Sequence, residues 1–210
     1  SEFRYNDPVI DSTALYFAVS QSGETADTLS AVKEIQLKGG RVMGVINVVG
    51  SSIARQCGRG VYIHSGPEQA VASTKAFTNM VAALTLFSVQ IGRARTLSVA
   101  QGKKVVQALS KIPDQIERYL ANQGPIEEAV EAVKDARHVL FLGRGPSAPV
   151  AREGALKLME IAYIPCLAYP AGEMKHGPIA LIEENVPVVA LVPHDHVFEK
   201  MTSNVAEAKA

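Results

Sequence analysis

Four stretches of the sequence carry residue types that could do chemistry. The first is Ser20-Gln21-Ser22-Gly23-Glu24-Thr25, which separates the apolar run Ala14 to Val19 from a helical pattern beginning near Ala26. A buried strand that ends in small hydroxyl residues and a glycine, then turns into a helix, aims N–H groups and hydroxyls at one point above the helix N-terminus. That point is an anion seat. The stretch contains no Lys or Arg, so a single phosphate would be held by neutral donors and the positive end of the helix dipole. Such a grip suits a small phosphorylated metabolite, whereas a nucleic-acid backbone asks for many cations. The same residues also fit plain capping of the helix by Ser22 or Thr25.

The second stretch bears Glu153, Lys157 and Glu160, at positions i, i+4 and i+7 of one helical pattern. At about 100° per residue they fall within roughly 60° of one another, in a stripe about 10 Å long. Around them stand Ala151, Ala155, Leu156, Leu158, Met159, Ile161 and Ala162, with Arg152 the exception. So narrow a polar stripe reads as an embedded helix whose charges face a cleft. A carboxylate there, beside a lysine, suits the movement of a proton between adjacent carbons. A Glu–Lys pair at i, i+4 is also ordinary on a surface helix. The third stretch is Ala171-Gly172-Glu173-Met174-Lys175-His176-Gly177-Pro178. Its imidazole could transfer protons near neutral pH, although a histidine before Gly-Pro also serves as a structural hydrogen-bonder. A fourth, weaker signal is Gly66-Pro67-Glu68 leading into Val71-Ala72-Ser73-Thr74-Lys75. These hydroxyls could hold the far side of a phosphosugar, or simply start a helix.

The elements that position these residues alternate. Strand patterns at Ala14 to Val19, Arg41 to Val48 and Gly60 to His64 are separated by helical patterns at Thr25 to Lys38 and Ser51 to Cys57. Apolar strands buried on both faces and joined through helices imply a parallel, doubly wound sheet, with ligands beyond the carboxyl ends of its strands. From about Glu68 to Ala121 only helices are expected, over Val71 to Ile91, Leu97 to Leu109 and, after a break at Ile112-Pro113, Asp114 to Leu120; Ile126 to Ala136 adds another. The strand rhythm then restarts at His138 to Leu142, Pro165 to Ala168 and Val188 to Val192, with helices at Pro146 to Ala162 and Val197 to Ala210. The expected architecture is α/β, in two subdomains, 1–124 with the helical connector and 125–210.

Composition narrows the class of function. Of 210 residues, 47% are hydrophobic and 20% charged, so the chain is globular. Lys+Arg 21 balances Asp+Glu 21 with no charged block, which removes electrostatic support for binding nucleic acid or a membrane surface. Cys57 and Cys166 lack metal-ligand spacing and read as buried thiols of a reducing compartment. The longest apolar run, around Met80 to Val89, is too short for a membrane span. With no signal-peptide pattern, a cytoplasmic location is expected. The opening Ser1 and the helical finish read as cut ends of a longer protein.

Taken together, Ser20–Thr25, Ala72-Ser73-Thr74-Lys75-Ala76-Phe77, Glu153-Gly154-Ala155-Leu156-Lys157 and Gly172–Pro178 closely resemble the isomerase half of the glucosamine-6-phosphate synthases, also called glutamine:fructose-6-phosphate aminotransferases. The first motif alone marks the wider sugar-isomerase (SIS) fold; the four in series are more specific. The resemblance implies two flavodoxin-like SIS subdomains with parallel sheets flanked by helices, and conversion of fructose 6-phosphate and glutamine-derived ammonia to glucosamine 6-phosphate. It implies that Ser20, Gln21, Ser22 and Thr25 bind phosphate and that Val71 and Ser73 contact the sugar. By the same resemblance Glu160 is the base between C1 and C2, Lys157 and Glu153 are its catalytic neighbours, and His176 assists ring opening. In the family that histidine serves the partner subunit's site, which implies a homodimer. No metal and no cofactor is implied.

Against the family pattern, the glutaminase domain, the first strand and helix of the first SIS unit, and the last strands with their imine-forming lysine are absent from the sequence. The piece alone is therefore expected to lack synthase activity. Arg152 and Met159 replace an expected apolar residue and a lysine. The alternatives are a non-catalytic SIS module that senses phosphosugars, or another SIS-family phosphosugar isomerase.

Overall fold

The apolar runs at 41–46 and 139–143 become central strands because helices on both faces take up their alternating side chains, whereas the run at 60–62 stays exposed. The computed structural model describes residues 2–210, in two units, one ending at Gln115 and the other running Ile116–Ala210. In the first, a short helix α1 (Glu2–Tyr5) is followed by β1 (Leu15–Ser20), α2 (Ala26–Leu37), β2 (Arg41–Ile46), α3 (Ser52–Cys57), β3 (Gly60–Tyr62), α4 (Lys75–Arg93) and α5 (Val99–Leu109). The strands form a parallel sheet in the order β1-β2-β3, with Leu15 opposite Arg41 and Gly44 opposite Gly60. Ala18, Val42 and Ile46 pack on one face against Val32, Ile35 and Ile53 of α2 and α3. Phe17 and Val45, out of phase with them, meet Ala76 and Met80 of α4 on the other.

Two helix starts differ from the periodicity. Helix α4 begins at Lys75 rather than at Val71, for a reason given with the site. Helix α5 begins at Val99 because Ser98 and Gln101 form a reciprocal capping box. Ile112-Pro113, expected as a break, instead opens α6 (Ile112–Ala121); in a first helical turn the missing proline N–H has no partner to lose.

The second unit adds α7 (Gly124–Val133), β4 (Val139–Gly143), α8 (Ser147–Ala162), β5 (Cys166–Pro170), two 3-10 turns (Ala171–His176 and Pro178–Leu181), β6 (Val188–Ala190) and α9 (Phe198–Lys209). Its parallel sheet has the order β5-β4-β6. Every residue of β4 is buried. Val139 and Phe141 face Ala151 and Ala155 of α8, while Leu142 faces Met174 and, from α9, Met201. Both units are thus parallel sheets flanked by helices. Cys57 and Cys166 are free and buried, and burial pushes both thiols above their ordinary pKa. Among the described residues no helix is long and apolar enough to cross a membrane, and no cluster of His, Cys, Asp or Glu is arranged to hold a metal ion.

Candidate active site

In the first unit the loop after β1 folds back on itself. The Ser20 hydroxyl, buried, accepts the Gly23 N–H at 2.9 Å, and Ser22 Oγ accepts the Glu24 N–H at 3.2 Å. Each hydroxyl spends an acceptor site in this way and keeps its O–H to donate, which is what an anion requires. Thr25 is the N-cap residue of α2, yet its side chain makes no capping hydrogen bond. Gly23 has φ +67°, and a Cβ there would lie 1.9 Å from Ser51 Oγ, so the position admits glycine alone. The loop is then tied to the turn after β2: Ile53 N–H donates to Gly23 O at 2.9 Å and Ser52 N–H to Glu24 Oε1 at 2.8 Å. The carboxylate of Glu24 is thereby committed to the start of α3. The hydrogen bond from Ser52 and the nearby charge of Arg55 hold it below its ordinary pKa.

The loop between β3 and α4 carries Val71 and Ser73. Asn47, itself buried, accepts the Ser65 N–H at 2.8 Å and donates to Gly66 O at 2.7 Å; Asn79 donates to Ser65 Oγ at 2.7 Å. At the other end the Glu68 carboxylate accepts Thr74 N–H and Thr74 Oγ1 at 3.1 Å and Ala76 N–H at 3.2 Å. Helix α4 is therefore capped by a side chain arriving from its own loop, which is why residues 71–74 stay out of the helix. Ala72 is fully buried, whereas Val71 is 95% exposed.

In the second unit Lys157 Nζ lies 2.8 Å from Glu160 Oε2 and 3.3 Å from Glu153 Oε1, and all three side chains are half-buried. Burial opposes the lysine charge, but hydrogen bonds to both carboxylates outweigh it and raise its pKa. The helix is seated by small residues: Ala151 and Ala155 are buried, and a Cβ on Gly154 would come within 3.2 Å of the Phe141 ring. At about 100° per residue, the charged stripe lies on the side of α8 away from that seat. The embedding expected from the narrow stripe is thus one-sided, since Leu156, Met159 and Ile161 are exposed.

His176 ends the first 3-10 turn and is exposed. Ala171 and Met174, both fully buried, root that turn in the core, and Gly177 reverses the chain at φ +140°. Lys175 pairs with Glu207 of α9 at 2.8 Å. Asn204 bridges the pair to the turn after β4, donating to Glu207 Oε2 and accepting from Arg144 Nη1 at 2.9 Å. Glu24, Asn47, Glu68 and the Arg144–Asn204–Glu207 chain are structural supports that residue spacing does not single out. The one signal available was an acidic residue a few positions ahead of a helix start.

The SIS domain matches residues 1–90 and 132–210 of this sequence. The chain belongs to the SIS domain family. This SIS chain is 49% identical over 211 residues to glutamine–fructose-6-phosphate aminotransferase [isomerizing] of Thermus thermophilus, an alignment that takes in 100% of the chain and 35% of that protein. The enzyme of the same description from Chlorobaculum tepidum is 47% identical over 210 residues, 100% of the chain and 34% of that protein. The chain spans about a third of the length of these curated relatives. Among solved structures, the C-terminal domain of glucosamine-fructose-6-phosphate aminotransferase from Francisella tularensis matches with a TM-score of 0.95 and 40% identity, over 99% of this chain and 59% of that one. Glucosamine-6-phosphate deaminase from Thermotoga maritima, with a TM-score of 0.81 and 21% identity over 99% of this chain and 61% of its own, shares the SIS fold alone.

Proposed function

We propose that this chain is the sugar-phosphate isomerase part of an enzyme that converts fructose 6-phosphate and glutamine-derived ammonia to glucosamine 6-phosphate. The observation that carries the reading is the lysine clamped between two carboxylates on one side of α8, in a chain nearly half identical to enzymes of that description. Ser20, Gln21, Ser22 and Thr25 receive the phosphate, the two serines through hydroxyls whose protons the loop leaves free. Val71 and Ser73 meet the sugar. Glu160 carries the proton between C1 and C2, Lys157 and Glu153 fix its carboxylate, and His176 moves the proton that opens the ring. The same proposal includes a cytoplasmic homodimer, a glutaminase domain elsewhere in the full-length protein, and SIS subdomains divided at 124–125.

The test is Glu160→Gln in the full-length enzyme. Fructose 6-phosphate binding is expected to persist while turnover falls at least ~10²-fold, the usual scale for loss of a general base. Turnover close to wild type would reject the role.

A further inference from the structure

We infer that Glu68 is a positioning residue for the sugar: its carboxylate closes the Val71–Ser73 loop against the start of α4. The inference rests on the functional reading above, which gives Val71 and Ser73 their contacts. The loop leaves β3 pinned by Asn47 and Asn79 at Ser65 and Gly66. Its return is pinned by the two Glu68 oxygens, which take three donors from Thr74 and Ala76. Between the two anchors Ala72 is buried completely and Val71 is held 95% exposed. Val71 and Ser73 therefore sit on a short loop tied at both ends, so their positions are set before any ligand arrives. Without Glu68, the entropy of freeing the residues between Pro67 and Thr74 would be charged to each binding event.

The carboxylate has a second effect. The N-terminus of α4 would otherwise attract an anion, and Glu68 occupies it. Glu24 does the same at α3. Carboxylates thus stand at these two helix starts; α2, which follows Ser20–Thr25, also carries an acidic residue, Asp27, in its first turn, and its N-cap Thr25 makes no side-chain capping hydrogen bond.

The full-length enzyme carries the test. Glu68→Ala should raise the KM for fructose 6-phosphate about 10-fold, through loss of the three hydrogen bonds. The inhibition constant of inorganic phosphate against that substrate should stay within about 2-fold of wild type, because another loop builds the phosphate seat. Glu68→Gln keeps an oxygen for the two N–H groups and offers its amide to the Thr74 hydroxyl, so its KM should lie within about 3-fold of wild type. Thr74→Val removes the hydroxyl arm alone and should raise KM about 2- to 3-fold, which keeps the test open if Glu68→Ala does not fold. The inference is overturned by a KM that Glu68→Ala or Thr74→Val leaves unchanged, by sugar and phosphate constants that rise together, or by a glutamine variant no better than alanine. A wild-type enzyme that does not bind fructose 6-phosphate would remove the functional reading itself, before any variant is made.

Discussion

Gly23→Ala tests, at its tightest point, the loop proposed to hold phosphate. The added methyl would sit 1.9 Å from Ser51 Oγ, 2.5 Å from Ser51 Cβ and 3.0 Å from Ile46 Cγ2. Ser51 is 3% exposed and Ile46 1% exposed, so neither can swing aside into solvent. The left-handed backbone costs an alanine about 1–2 kcal/mol, and the overlap in a packed interior about 1–3 kcal/mol more. A loss of about 2–5 kcal/mol lowers the melting temperature of a domain this size by about 5–15 °C. If the loop shifts to relieve the overlap, the Gly23 and Glu24 amides leave the Ser20 and Ser22 hydroxyls, and affinity for fructose 6-phosphate falls at least ~10-fold, about 1.4 kcal/mol. Ser51→Gly removes both overlapping atoms. The double variant should therefore recover the steric share and retain only the backbone cost of about 1–2 kcal/mol. Melting and titration with fructose 6-phosphate in the full-length protein provide the assay. Wild-type melting and affinity in Gly23→Ala, or a double variant no better than the single one, would refute the reasoning.

Two further outcomes follow from the charges. Lys157→Met keeps the aliphatic stem but removes the clamp. Partly exposed ion pairs contribute about 0.2–1 kcal/mol each, so stability should fall by no more than about 2 kcal/mol while kcat drops at least ~10²-fold; an unchanged kcat would show that the clamp does not serve the chemistry. Glu207, hydrogen-bonded by Lys175, and Glu24, hydrogen-bonded by Ser52, lie below their ordinary pKa of 4.5, and Lys157 lies above its 10.5. The carboxylates add stability that is present above pH 4.5 and lost as pH falls through their depressed values; the lysine adds stability present below pH 10.5 and lost as pH rises past it. Melting temperature against pH should show both limbs, and a Glu24→Gln/Glu207→Gln protein should have a shallower acid limb; an identical acid limb would count against these two pairs.

The strands were legible because each is an uninterrupted apolar run between amphipathic patterns, and parallel pairing of such strands puts Ser20, Gly143 and Pro170 at their carboxyl ends. The start of α4 was not, because Val71, Ala72, Ala76 and Met80 continue a helical spacing across the true boundary. What sets that start is a carboxylate reaching across six to eight residues. Glu24 stands in plain view within the first motif, but its partner Ser52 is 28 residues away, a distance over which local patterns are silent. The wheel of α8 correctly set its three charged residues on one side. It could not tell which apolar positions meet the sheet, so Leu156 and Ile161 looked as interior as Ala151 and Ala155. The two 3-10 turns around His176 are too short to leave a periodic trace.

The seat of α8 has a consequence for how this scaffold can change. Ala151, Gly154 and Ala155 are the spacers that set how closely the rod carrying Glu160 lies on Phe141 and its neighbours. Adding one or two methyl groups there would lift or roll the rod and re-aim its carboxylate, with no change to Glu153, Lys157 or Glu160 themselves. On the proposed reading, reach toward sugars of different length could therefore be tuned from the underside of the helix.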